Sequence, residues 1–327
     1  MSKKMKIILS VLAAILAVPI LAVSYILTAL PNIRLKPDIK AEANPERIER
    51  GKYLANHVTV CVDCHSVRDW TKFSGPISEG THGKGGEVFD QKFGFPGAFY
   101  AANITQEKLK DWSDPELYRA VTSGVGKTGK AFFPVMPYRN YGKMDTEDIL
   151  SIIAYIKTLP AIKNDVPKSQ PDFPMNIILN TIPSPAEPVK APDKNDKAAY
   201  GKYLVNAAAC FDCHTNVNEK AEPLPGMDFA GGREFPMPWG TLRSSNITPD
   251  RESGIGSLAE ADFVQKFKSH DPAKTPASPL KEGEMNTIMP WVMYSGMTEE
   301  DLQTIYSYLM TVKPVANKVT KFSAAKK

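Results

Sequence analysis

From Ile7 to Leu30 the chain carries no charged residue, a run of 24 positions that can span a bilayer as a helix with some tilt. Lys3, Lys4 and Lys6 precede it, which predicts a cytoplasmic start and an exported body. Pro19 lies inside the run. The alternative is a cleaved secretory signal, with Ala22-Val-Ser24 as a weak cleavage site. Such signals have an apolar stretch of only about 7–15 residues, so the length favours an uncleaved anchor.

Beyond Leu30 the pattern becomes amphipathic with helical period, and it occurs twice. Ile152, Ile153, Tyr155 and Ile156 give one apolar face to a helix predicted over Ile149–Leu159; Ile305, Tyr306, Tyr308 and Leu309 do so over Leu302–Val312. Asp145 and Thr298 read as their N-caps, with Asp148 and Asp301 at the third helical position. Middle helices are predicted over Trp112–Val121 and Leu258–Phe267, with capping boxes from Ser113 and Glu116 and from Ser257 and Glu260. The repeat extends further. Gly51-Lys-Tyr-Leu54 answers Gly201-Lys-Tyr-Leu204, Asn103-Ile-Thr105 answers Asn246-Ile-Thr248, and Met136-Pro137 answers Met289-Pro290. A second methionine follows each Met-Pro pair, Met144 and Met297, at the position of a hydrophobic staple.

These matches divide the chain into a cytoplasmic start and anchor (1–30), a linker (31–43), a first domain (44–162), a strap (163–196), a second domain (197–315) and a Lys-rich tail (316–327) expected to fray. The strap holds seven prolines, which predicts an extended segment rather than a flexible tether. Its apolar centre, Phe173 to Ile182, is expected to pack on a domain or a partner.

The chemistry enters with Cys61-Val-Asp-Cys64-His65 and Cys210-Phe-Asp-Cys213-His214. Each is a C-x-x-C-H run, the pattern of covalent haem attachment. Two intervening residues put both sulfurs on one side of a helical turn, and the histidine follows as an axial iron ligand. The motifs use all four cysteines of the chain. A four-cysteine zinc site or two dithiol redox motifs would not require a histidine after each pair.

For the second axial position the candidates are Met136 and Met289, 71 and 75 residues after their histidines. A thioether suits electron transfer. Met293 competes for the second site, but its counterpart is Asn140. Outside the motifs, His57, His82 and His270 have no partner in the other half and read as ordinary loop or surface histidines. Asn103 and Asn246 are candidates to hold a loop near the haem edge. Arg119, Arg139, Arg233 and Arg243 are candidates for haem propionates. Trp70, Trp112, Trp239 and Trp291 read as core.

Net charge is +4, spread without a basic stripe among aromatics, which gives no ground for nucleic-acid binding.

With these residues in view, the chain resembles the membrane-associated multihaem cytochrome c subunit of bacterial alcohol, aldehyde and gluconate dehydrogenases. G-x-Y-L before C-x-x-C-H, then N-I-T, M-P and M-[TD]-x-E-D-[LI] carry the resemblance, in both halves. It implies that the haem ligands are Cys61, Cys64, His65, Met136, Cys210, Cys213, His214 and Met289. It also implies electron flow from a catalytic quinoprotein or flavoprotein to quinone or a terminal acceptor. Two departures stand out: that subunit has three haem domains where two are read here, and this anchor is N-terminal.

The expectation is therefore a mostly α protein with two tandem class I cytochrome c-like domains after one transmembrane helix. It would hold two covalently bound haem c groups on the periplasmic side of a bacterial inner membrane. It would relay electrons between a periplasmic dehydrogenase and the respiratory chain, without catalysis of its own. The rival readings are a membrane-tethered dihaem subunit of a terminal oxidase, and a dihaem peroxidase or thiosulfate-oxidising enzyme.

Overall fold

Helix ends in this chain are set by short polar side chains, and the helices they start frame the site. The structure, a computed structural model, describes residues 1–281 and 283–325, so the last two lysines of the tail lie outside the described residues. Ser2 caps α1 (Lys3–Ala29), which encloses Pro19 and buries none of its residues. α1 is long and apolar enough to cross a membrane, with a mean hydropathy of 2.8 over its most apolar window.

The body is mostly helical. Asn44 caps α2 (Pro45–Tyr53), with Pro45 at the first turn where its missing N–H costs nothing. The short α3 (Cys61–Cys64) follows. A hairpin of β1 (Val88–Phe89) and β2 (Gly97–Tyr100) leads to α4 (Gln106–Leu109). Then come α5 (Asp114–Ser123), α6 (Tyr138–Tyr141) and α7 (Thr146–Ile156). The capping box of Ser113 and Glu116 forms, and Asp145 caps α7.

The proline-rich segment does lie along the body. Its β3 (Gln170–Pro171) joins β2, and α8 (Met175–Ile178) with the turn after it meets the end of α1, where Asn180 Nδ2 donates to Ile26 O at 3.5 Å. Further on, Arg139 donates to Ile182 O and Ala191 N to Asp145 Oδ2.

The second set repeats the first: α9 (Lys197–Ala207), α10 (Cys210–His214), a hairpin of β4 (Glu234–Met237) and β5 (Gly240–Arg243), α11 (Glu260–Lys268), α12 (Trp291–Tyr294) and α13 (Glu299–Leu309). Thr298 caps α13. The capping box expected of Ser257 is absent: α11 starts at Glu260 behind Ala259, too late for that hydroxyl. Part of the tail is also ordered. β6 (Phe322–Ala324) pairs with β5, and Arg243 Nη1 donates to Ser323 Oγ at 2.9 Å.

In each half the entry helix crosses the final helix at a glycine. A Cβ on Gly51 would lie 1.8 Å from Ser151 O, and one on Gly201 would lie 1.9 Å from Thr304 O. The two crossings bring α2 onto α7 and α9 onto α13, over a core that includes Leu54, Ile149, Ile152, Ile153, Leu204 and Leu302. Met144 and Met297 are buried in the same core.

The halves then clasp each other reciprocally. Tyr53 OH donates to Asp301 Oδ2 at 2.6 Å, and Tyr203 OH donates to Asp148 Oδ2 at 2.7 Å. Each phenol also accepts an N–H at the facing N-cap, from Thr298 and Asp145 respectively. Burial pushes both phenols up, and the facing carboxylate adds to the rise. Asp148 meanwhile takes both arms of Arg50, at 2.8 and 2.9 Å. Burial works against the Arg50 charge, but the carboxylate more than offsets it.

One residue breaks the symmetry. Ten residues run from Gly201 to Cys210, but eleven from Gly51 to Cys61. The extra residue is absorbed as a π-helical turn over Leu54–Val58, the usual way a helix accommodates an insertion. As a result His57, not Asn56, takes the place that Asn206 holds in the other half. His57 Nδ1–H donates to Met293 O at 2.9 Å, as Asn206 Nδ2 donates to Asn140 O at 2.9 Å. His57 thus has a spatial counterpart, which sequence offset alone hid.

Two outcomes follow. Gly51→Ala and Gly201→Ala force a Cβ against main chain, and each is expected to cost about 1–3 kcal/mol or more in denaturant unfolding. Burial lowers the His57 value below its ordinary 6.5; the ammoniums of Lys268 and Lys52 act in the same direction and the Met293 carbonyl opposes them. A depressed value means the unfolded chain takes up the proton first. The contribution of His57 is therefore complete above 6.5 and lost as pH falls. Stability is expected to fall less steeply between about pH 7 and 5 in His57→Asn, which copies Asn206.

Candidate haem-attachment sites

Each C-x-x-C-H run begins at a residue in the left-handed region, Val60 at φ 45° and Ala209 at φ 52°. This sharp entry ends the preceding helix and starts the short helical turn that carries both cysteines. Dense surroundings push the thiols up, to about 11 for Cys61 and Cys213 and about 12 for Cys64 and Cys210. Among the described residues, no three His, Cys, Asp or Glu side chains gather closely enough to chelate a metal ion.

The histidines are held identically. His65 Nδ1 donates to Ala102 O and His214 Nδ1 donates to Ser245 O, each at 2.7 Å. A carbonyl can only accept, so the ring proton is on Nδ1 and the Nε2 lone pair is free to ligate, the usual support of a metal-binding histidine. Burial lowers both histidines' values, the direction that keeps Nε2 unprotonated.

The accepting carbonyl is in turn fixed by the next residue. Asn103 Oδ1 accepts from Thr105 N and Oγ1, while its Nδ2 donates to Ile162 O beyond α7. Asn246 does the same with Thr248 and Val315 O. A glycine closes the cradle. Gly85 N donates to His65 O and Gly231 N donates to His214 O. Both glycines have positive φ, and a Cβ on either would meet the N of Asn103 or Asn246 at 2.5 Å. The N-I-T element is therefore a clamp on the histidine's hydrogen-bond acceptor. These donor sets fit a covalently held haem: two sulfurs on one turn, and one imidazole with Nε2 freed.

Met136 and Met289 are half-buried and occupy equivalent places just ahead of α6 and α12. Five residues after each comes a tyrosine the sequence reading did not select. Tyr141 OH donates to Thr59 O and Tyr294 OH to Ala208 O, both at 2.8 Å. Thr59 and Ala208 each lie two residues before the first cysteine of a motif, so these phenols tie each Met-Pro loop to its own attachment turn. The two attachment turns also flank the seam between the halves. Asn140 Nδ2 reaches Asp212 Oδ2 at 3.0 Å, and burial pushes the Tyr294 phenol up, with Cys210, Cys213, Asp63 and Cys64 adding to the rise.

The arginines chosen for propionates are already engaged. Arg119 donates to Gly126, Lys127 and Ile33 carbonyls, Arg139 to Ile182 O, Arg233 to Asp212 O, and Arg243 to Glu234 and Ser323. Arg233 thus touches the second motif, and the first is touched by Arg68. It pairs with Asp63 and Glu87 at 3.1 and 3.2 Å and lies 4.1 Å over the Trp70 ring. The tryptophans are half-buried: Trp112 packs against the hydrophobic core, and Trp70 and Trp239 meet at 6.3 Å. Trp291 packs against Phe267 and His270.

Comparison with known proteins agrees with this chemistry. Residues 198–313 match the cytochrome c family, which implies covalently bound haem c. Over 289 residues the chain is 28% identical to the gluconate 2-dehydrogenase cytochrome c subunit of Pantoea cypripedii, covering 83% of this chain and 60% of that one. It is 27% identical to the cytochrome c subunit of the quinone alcohol dehydrogenase of Gluconacetobacter polyoxogenes, covering 84% and 58%. A diheme cytochrome c-type protein of Cereibacter sphaeroides is 25% identical, covering 78% and 82%. The chain thus spans about three fifths of the length of the first two relatives.

Asn103→Ala and Asn246→Ala each remove three buried hydrogen bonds or more. Each is expected to cost roughly 2–3 kcal/mol in denaturant unfolding.

Proposed function

We propose that the chain is a dihaem cytochrome c, anchored by α1 in a bacterial cytoplasmic membrane with its body on the periplasmic side. In this reading it relays single electrons between a periplasmic dehydrogenase and the respiratory chain. The observation that carries it is the duplicated histidine support: the same 2.7 Å bond to a clamped carbonyl in both halves, each beside a complete C-x-x-C-H turn.

Residues 44–162 and 197–315 would be tandem haem domains, joined by the strap 163–196. Cys61 and Cys64 in the first, and Cys210 and Cys213 in the second, form the thioether attachments. His65 and His214 would offer Nε2 to the iron, and Met136 and Met289 would offer a thioether as its second ligand. Haem, when bound, supplies the one-electron chemistry. The protein's own work is to orient these side chains and hold them still through oxidation and reduction. A methionine at the equivalent place in both halves favours electron transfer over substrate turnover, because an enzyme needs one exchangeable position. The dehydrogenase partner rests on the names of the relatives and on the motif resemblance; the anchor rests on the length and apolarity of α1.

In the oxidised protein, the near-infrared charge-transfer band of methionine sulfur bound to ferric iron is expected, with part of it lost in Met136→Ala and part in Met289→Ala. A full-strength band in either variant would remove that methionine from the ligand set.

A further inference from the structure

The seam between the halves is not wholly symmetric, and the asymmetry falls on Met289. A loop of the first half, Asp69 to Gly75, enters the second half and lies along the segment before Met289. Phe73 N donates to Ser278 O at 3.1 Å and Leu280 N to Thr71 O at 2.9 Å. Asn286, buried, sends Nδ2 to Trp70 O and Lys72 O and accepts from Ser74 N at 2.9 Å. At the tip, Ser74 sits at φ 64° and is 3% exposed. Its hydroxyl donates to Met289 O at 2.7 Å and accepts from Trp291 N at 3.0 Å. One side chain from the first half thus brackets the Met-Pro turn of the second. The turn's own bond is the same in both halves, Tyr138 N to Met136 O and Trp291 N to Met289 O, each at 2.8 Å; among the described residues no side chain of the second half reaches Met136 O.

We propose that Ser74 is a positioning residue for Met289, so that the strength of axial ligation at the second haem depends on docking of the first half. This rests on the reading of Met289 as a ligand. The reasoning is mechanical. A thioether is a weak ligand that stays on the iron only if its loop is held close. The Ser74 hydroxyl fixes the turn on both sides of Met289 without touching the side chain. A non-glycine residue at positive φ is uncommon, and here the unusual backbone is what aims the hydroxyl into the second half. The consequence is two sites with the same ligands but different dependence on the seam.

The test is competition by imidazole, which displaces a methionine ligand from ferric haem, followed optically on the full-length protein with both haems attached. Met136→Ala and Met289→Ala assign the two phases. In Ser74→Ala, affinity for imidazole at the second haem is expected to rise roughly tenfold, the scale of losing two buried hydrogen bonds, with the first haem unchanged. Ser74→Gly removes the same hydroxyl while accepting the left-handed backbone without strain, so it gives the same answer if Ser74→Ala folds poorly. An unchanged second phase in both variants, or an equal rise at both haems, overturns the proposal. If Met289→Ala itself leaves the second phase unaltered, Met289 is not a ligand, and both that reading and this proposal fall.

Discussion

A histidine can serve as a fixed iron ligand only if its second nitrogen is occupied, and everything around His65 and His214 serves that bond. The acceptors are main-chain carbonyls, Ala102 O and Ser245 O, with no side chain that could swing away. Each carbonyl is locked by the asparagine that follows it, which reaches across to the chain beyond the final helix. The final helix is set against the entry helix by the glycine crossing, and the entry helix delivers the cysteines. The ring thus closes: entry helix, attachment turn, histidine, carbonyl, asparagine, final helix, entry helix. A shift in any member is felt at Nε2.

The second level of organisation is the seam. Tyr53 and Tyr203 lie in the repeated G-K-Y-L element, yet neither uses its hydroxyl at home. Each serves the N-terminus of the other half's final helix, where an aspartate at the third position is already favoured by the helix dipole. The same aspartates that start the helices therefore also join the halves. Because Asn140 and Tyr294 carry the seam up to the attachment turns, the two sites lie along one buried boundary.

Much of this was legible in the sequence because it is local or duplicated. The haem runs, the Asp145 and Thr298 caps and the Met-Pro loops all declare themselves within a few residues. The staple position just before each N-cap separates Met144 and Met297, which fill the core, from Met136 and Met289. What stayed hidden depends on contacts between distant segments. Asn103 and Asn246 read as loop holders near a haem edge, and their anchoring partners at Ile162 and Val315 came into view only in the fold. The counterpart of His57 was masked by a one-residue insertion, which a π turn turns into a change of face. Ser74 has no partner in the other half and belongs to no motif, so no sequence pattern singles it out. The ordered part of the tail, Phe322–Ala324, was missed because a lysine-rich composition says nothing about a free strand edge on β5.

The central claim is that both halves hold haem covalently. The most direct measurement is the mass of the intact, purified chain under denaturing conditions, beside variants with both cysteines of one motif changed to alanine. The account predicts two haems on the unaltered chain and one on each variant, Cys61→Ala with Cys64→Ala or Cys210→Ala with Cys213→Ala. One haem or none on the unaltered chain, or two retained after either pair is removed, would contradict it.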